Sequence, residues 1–550
     1  MSVAALGSAT ALRIAVLAAT IGCNAPDRGP QWRETGQAIP RDHGTLRFAT
    51  KDRIITLDPA IAYDEVSLYA LHHLVDTLLD YEPGGTRLVP RLAERWEVSA
   101  DGLVYRFWLR EGLRYASGEP IVAADVELGL ERALGMPESP FGSFLTDVAG
   151  AQDVLAGKAR ACTGITAINA RELEIRLVRR NAAFLYVLTL PFTAPQRADH
   201  LAAAGDQIRS QPLASGPYEL ERWDEGQRLV LRRSTSVERG ARGHFDRIIL
   251  YENVPRDTQF LMFERGELDT AERLAAPDYL WVKTQPAWAP YVFSQPMMNV
   301  FGSRMNVTVK PFDDRRVRQA LNYAVDKGHI AKLLNGTAIP AHGMLPPGVL
   351  GRDEGLAPYP HDPAKARALL REAGYPDGFA VTYVTLADEE AEKLAISLQH
   401  DLAEIGVRVE ISLMALPTYS TAVGKPDGPA FSFTSWAADF PDPTSFLDAR
   451  FHSRGIATEN ASNNSFYTRP ELDRLLDDAR AEPDVTKRAT MYRRAERILY
   501  DDAPWIWGYH QTMTEVTQPY IRDYTVHPIW LRDFTTAWLD VGPDGKPVPR

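Results

Sequence analysis

Two cysteines in 550 residues, Cys23 and Cys162, are too few for a disulfide framework. Beyond the first residues there is no run of about 18 apolar side chains, so no later transmembrane helix is expected. Basic excess is missing as well. Lys and Arg number 61 against 72 Asp and Glu, a net charge of −11. Such a surface repels phosphate backbones, and nucleic acid is not an expected partner. The common catalytic signatures are absent too. There is no Gly-x-x-x-x-Gly-Lys-[Ser/Thr] phosphate loop, no Gly-x-Ser-x-Gly elbow, no His-Glu-x-x-His helix and no calcium loop. His72 and His73 are adjacent, so one helix face cannot offer both to an ion. No catalytic residue, metal site or cofactor is expected, and the chain reads as a non-enzyme. Asp439 and Asp442 remain as carboxylates that a secreted hydrolase could pair, but their spacing fixes no reaction geometry.

What is present begins with a sorting signal. Arg13 precedes the apolar stretch 14–21, which runs into Gly22-Cys23. A short apolar run with a basic flank and small residues at its end reads as a signal peptide over 1–23. Its end resembles a bacterial lipobox, in which the cysteine is lipidated. Thr20 stands where Leu is usual, so a plain secretory signal or a later start is the alternative. Residues 24–44, with Pro26, Gly29, Pro30, Gly36 and Pro40, read as a tether. The expected location is the periplasm or the outer face of the cytoplasmic membrane, with membrane contact only through the lipid anchor. Cys162 reads as a packed, unpaired thiol.

The length requires more than one core. Period-two alternation over 103–109, after the turn signal Asp101-Gly102, predicts a strand. Arg228–Arg233 and Arg247–Tyr251 read as two more. Between 379 and 413 the period changes from two to about 3.6 and back. Phe379, Val381 and Tyr383 alternate; Ala391, Leu394, Ala395, Leu398, Leu402 and Ile405 make one helical stripe; Val407, Val409, Ile411 and Leu413 alternate again. This predicts a right-handed parallel crossover covered by helices. Asp362-Pro363 opens a helix that Gly374 stops. Two more helices are predicted near 470–481 and 484–501. No repeat is found. The fold class is α/β with mixed sheets.

Several stretches, in order, resemble family 5 of the extracytoplasmic solute-binding proteins, the dipeptide- and oligopeptide-binding components of ABC importers. They are Ala93-Glu94-Arg95-Trp96 with Tyr105-Arg106-Phe107, Pro212-Leu213-Ala214-Ser215-Gly216-Pro217-Tyr218, Asp314-Arg315-Arg316-Val317-Arg318-Gln319-Ala320, Ala373-Gly374-Tyr375-Pro376-Asp377-Gly378, Trp436-Ala437-Ala438-Asp439-Phe440-Pro441-Asp442-Pro443 and Asp502-Ala503-Pro504-Trp505. The resemblance implies a two-lobed, Venus-flytrap fold with a small extra subdomain. Lobe I is expected from 45–74, 195–298 and 506–550, the subdomain from 75–194 and lobe II from 299–505. It also implies a short peptide ligand, partnership with a permease and an ATPase, and a monomer.

Within the family, the Asp of the Trp-x-x-Asp segment meets the peptide's amino group. That position is Asp439 here, with Trp436, Ala437 and Phe440 beside it and Phe141 as an aromatic from the subdomain. Each has a plainer reading: Asp439 as a cap for the stretch 444–450 or for an adjacent turn, Trp436 as core, Phe141 as ordinary packing. The family's oligopeptide binders often carry a base shortly before the Trp. Residues 431–435 have none, Lys425 is the nearest, and 431–435 also fit a buried strand. Another solute in the same fold, an oligosaccharide or a metal chelate, therefore stays open.

Overall fold

The computed structural model describes residues 44–237 and 242–540. The signal-peptide reading, Cys23 and nearly all of the tether lie outside them. Among the described residues no helix is long and apolar enough to cross a membrane.

The described residues begin in a four-stranded sheet whose spatial order is Thr45–Ala49, Arg247–Tyr251, Arg228–Arg233, Tyr218–Asp224. The first pair is parallel and the others antiparallel. Leu46, Phe48, Leu229, Leu231, Ile248 and Leu250 pack here against the helix Glu65–Leu74 and against Tyr524, Phe534 and Leu539 from the end of the chain. Both strands expected here form.

A second core draws its residues from 78–192. The alternation over 103–109 becomes the strand Val104–Leu109, in an antiparallel four-stranded sheet. Its buried side chains Tyr105, Phe107 and Leu109 share a core with Val126, Leu130 and Leu134 of the helix Ala123–Gly135. Gly102 has φ +69°, so the preceding turn needs a residue free to enter the left-handed region.

A large mixed sheet follows, whose first strand, 270–272, falls within the segment expected for lobe I and whose other strands come mostly from the segment expected for lobe II. Its order is Thr270–Glu272, Trp505–Thr517, Asn299–Met305, Phe431–Ala437, Ala380–Leu386, Arg408–Met414. The expected crossover is present: Ala380–Leu386 and Arg408–Met414 pair in parallel, joined by the helix Glu389–Ala403. Asp388 caps that helix through Ala391 N–H at 2.9 Å. Leu413 is exposed instead of buried, because its strand is the edge of the sheet. The helices Pro363–Glu372, Pro470–Ala481 and Val485–Asp502 stand close to the positions that their caps predict.

Trp505–Thr517 ties the lobes together. Trp505, Ile506, Trp507 and Tyr509 lie in the second lobe's cores, whereas Met513 and Val516 lie in those of the first. Val292–Pro296 and Asn299–Met305 pair with it on the two sides of this change. Where the chains cross, Met297 N–H donates to Gln511 O at 2.8 Å, and Gln511 N–H donates to Asn299 Oδ1 at 3.0 Å.

Candidate functional site

The strand Phe431–Ala437 occupies the middle of the large sheet, antiparallel to Asn299–Met305 and parallel to Ala380–Leu386. Phe431 and Ser432 are both fully buried, since both faces of a central strand are covered. This is the buried-strand reading at 431–434, while Ser435 is exposed. At the strand's end Trp436 is half-buried and Ala437 exposed. Ala438 N–H donates to Met298 O at 2.8 Å, so the chain leaves the sheet beside the inter-lobe crossing.

The loop that follows is held at every turn. Pro441 and Pro443 fix their own φ and keep the residues before them extended. Asp442 is buried and takes both Arg488 guanidinium nitrogens at 2.7 Å. Its Oδ1 also accepts from Thr444 N–H and Thr444 Oγ1 at 3.0 and 2.7 Å. Both of its oxygens are therefore engaged, Oδ2 by Arg488 and Oδ1 by Arg488 and Thr444. Asp442 bolts the loop to the helix Val485–Asp502.

Asp439 is placed differently. Its N–H donates to Ser445 Oγ at 2.9 Å, and Ser445 Oγ–H donates to Oδ2 at 3.3 Å. Asp439 therefore belongs to a turn closed by Ser445 and does not cap the helix Leu447–Phe451. The Trp436 indole N–H donates to Ser445 O at 2.5 Å, and the Arg450 guanidinium sits 4.9 Å from the Trp436 ring centre. Oδ1 accepts from Tyr63 Oη at 2.5 Å, a residue 376 positions earlier in the chain. Tyr63 immediately precedes Asp64, the cap of the helix Glu65–Leu74 in the first lobe. The bond thus joins the segment expected for lobe I to the segment expected for lobe II.

Burial pushes the Asp439 carboxyl up to about 6, against the pull of the Tyr63 and Ser445 donors. Burial, followed by the negative charge of Asp439, raises the Tyr63 phenol well above its ordinary value. Among the described residues no Lys, Arg or His side chain pairs with Asp439. Elsewhere a buried carboxylate such as Asp58 has Arg132 at 2.5 and 2.6 Å.

The two expected aromatics lie on the far side of this contact. Phe440 is buried among the residues of the 78–192 core, parallel to Tyr186 at 6.4 Å and edge-on to Phe144 at 6.1 Å. Phe141 is fully buried, stacked on Phe192 at 4.4 Å, and meets Tyr63 edge-on at 5.5 Å. It reaches Asp439 only through Tyr63. Sequence reasoning missed Tyr63 and Ser445. Ser445 sat within reach of the motif, but nothing about Tyr63 signals a partner in a distant segment.

Comparison with known proteins follows this geometry. Residues 87–458 match the family model for bacterial extracellular solute-binding proteins, family 5. A di/tripeptide-binding protein 2 of Pseudomonas aeruginosa is 28% identical over 528 residues, covering 92% of this chain and 96% of that one. Heme-binding protein A of Haemophilus influenzae is 26% identical, covering 93% and 94%. Among solved structures, the periplasmic binding protein DppA of Helicobacter pylori, in complex with the peptide STSA, superposes with a TM-score of 0.78 at 23% identity, covering 91% and 99%.

Proposed function

The chain belongs to family 5 of the bacterial extracellular solute-binding proteins, and on that premise we propose that it captures short peptides between its lobes and delivers them to the permease of an ABC importer. The observation that carries this reading is the lone carboxylate of Asp439. It stands half-buried beside the strand crossing, held by neutral donors, and among the described residues no cation pairs with it. A buried charge without a partner is costly. A peptide's α-ammonium supplies the missing charge. Haem presents propionates, which a fixed carboxylate repels, and a neutral sugar supplies no charge at all.

In this reading Trp436 walls the ligand backbone, and Ala437 offers the exposed strand end from which backbone pairing can continue. Phe440 seats the loop against the small subdomain, and Phe141 backs the closed face through Tyr63. The protein binds and releases its ligand unchanged. In this reading lobe I comprises 45–74, 195–298 and the end of the chain from about 511 instead of 506, since Ile506, Trp507 and Tyr509 pack in cores of the 299–505 segment.

A thermal-shift screen tests the solute class, using dipeptides, tripeptides, their N-acetylated forms, glutathione, haemin and maltooligosaccharides. Stabilisation is expected from peptides with a free amino end. Stabilisation by haemin or sugars alone would sink the proposal. Signal sequence and Cys23 lipidation, supported by the Gly22-Cys23 junction, complete the reading together with a monomeric state. Cys23→Ser should release the protein from membranes into the soluble fraction, and unchanged membrane association would refute the anchor.

A further inference from the structure

We propose that Tyr63 is a positioning residue of the ligand site: reaching from the first lobe, its hydroxyl orients the Asp439 carboxylate and so couples lobe closure to recognition of a cationic head group. The inference rests on the reading of Asp439 as the partner of a ligand ammonium.

Tyr63 is built to be aimed. On one side, Asp64 caps the next helix by accepting from Ser67 N–H at 2.9 Å. On the other, Asp58 closes a turn by accepting from Ala60 N–H at 3.0 Å, and Arg132 of the small subdomain grips both Asp58 oxygens. The segment from 58 to 64 is thus pinned at both ends. The Phe141 ring supports the phenol edge-on. Tyr63 is 43% exposed, an unusual place for a large side chain, yet its hydroxyl points inward at Oδ1 of Asp439. A tyrosine left half in water for packing alone gains little, whereas a tyrosine at a lobe contact gains a charge-assisted bond.

The geometry divides the carboxylate's work. Tyr63 holds Oδ1, Ser445 touches Oδ2 from one side, and the remaining acceptor capacity is free for an ammonium. Among the described residues of the first lobe only Tyr63 is hydrogen-bonded to Asp439. From its own loop come Ser445 and the Asp439 backbone. Among the described residues no charged group acts on it. The Tyr63 donor pulls the Asp439 carboxyl down against burial, so it favours the ionised form that an ammonium needs. When the lobes part, Oδ1 loses its donor and the carboxylate is free to turn. Closure and the site's affinity for a cation are therefore one event.

The test uses the full chain, with titration calorimetry across pH 5 to 8.5 on wild type, Tyr63→Phe and Asp439→Asn. The probe is the tightest binder of an Ala-Xaa-Ala tripeptide series. Tyr63→Phe keeps the ring on Phe141 and removes only the donor. It is expected to weaken binding about tenfold at pH 7.5. The pH at which affinity is half lost should also move upward from the wild-type value, expected near the Asp439 value of about 6. Wild-type affinity and midpoint in Tyr63→Phe overturn the proposal, and so does a weaker affinity with an unmoved midpoint, which marks packing alone. Unaltered binding by Asp439→Asn, or none by wild type, instead overturns the site reading and this proposal with it.

Discussion

Asp439 and Asp442 are three residues apart and chemically identical, yet the fold gives them opposite tasks. Asp442 is neutralised by Arg488 and fastens a loop, while Asp439 keeps its charge without a cation beside it. That difference has a thermodynamic signature. The Asp439 carboxyl is raised from about 4 in an unfolded chain to about 6 in the folded one. The folded state therefore holds the proton more tightly between those values. The stability this contributes is full below about pH 4 and is lost as pH rises through about 6. Asp439→Asn should then melt higher than wild type at pH 7.5 in the absence of peptide, by roughly 1–3 kcal/mol, and equally at pH 4. Calorimetric melting at both pH values checks this, and identical melting at pH 7.5 contradicts it. The motif made Asp439 and Trp436 legible as candidates. It did not reveal which of the two aspartates was spoken for, because Arg488 lies 46 residues away on another element. Tyr63 was less legible still. A contact made only when two lobes meet leaves no periodicity or spacing in either segment.

Elements were read most reliably where a single physical period ran long enough. The crossover from 380 to 414 changes period twice and is bounded by the Asp388 cap and by Gly406, whose φ is +82°. Short pieces such as Leu88–Pro90 carried no such signal, being too brief to show any period. The loop 438–446 is the element on which the site depends, and its rigidity rests on the Asp442–Arg488 pair. Arg488→Met should leave a buried carboxylate unpaired and cost about 3–5 kcal/mol. The prediction is a lower melting temperature together with weaker peptide binding. Asp442→Asn is expected to act in the same direction. A variant that melts like wild type would show that the pair does not hold the loop.

At the scale of the whole molecule, the proposed site draws on segments of both expected lobes. Two contacts join them around Asp439: the Tyr63 hydroxyl from the first lobe, and Phe440 inserted among Phe144 and Tyr186 of the small subdomain. The crossing strands at Met297, Asn299 and Gln511 supply a narrow connection about which they can part. Phe440→Ala removes a buried ring from the seam, a loss of about 3–5 kcal/mol where such a side chain is well packed. Small-angle scattering should show a larger radius of gyration for this variant, and calorimetry a weaker peptide affinity; an unchanged radius and affinity would mean that Phe440 does not seat the closed form. The claim that gathers these scales together is that Asp439 meets a cationic amino end in that closed space. A double-mutant-style cycle measures it directly, with affinities of wild type and Asp439→Asn for one tripeptide and its N-acetylated form at pH 7.5. A coupling of about 2–4 kcal/mol between the carboxylate and the free amine is expected. A coupling near zero, with acetylated and free peptides bound alike by wild type, would contradict it.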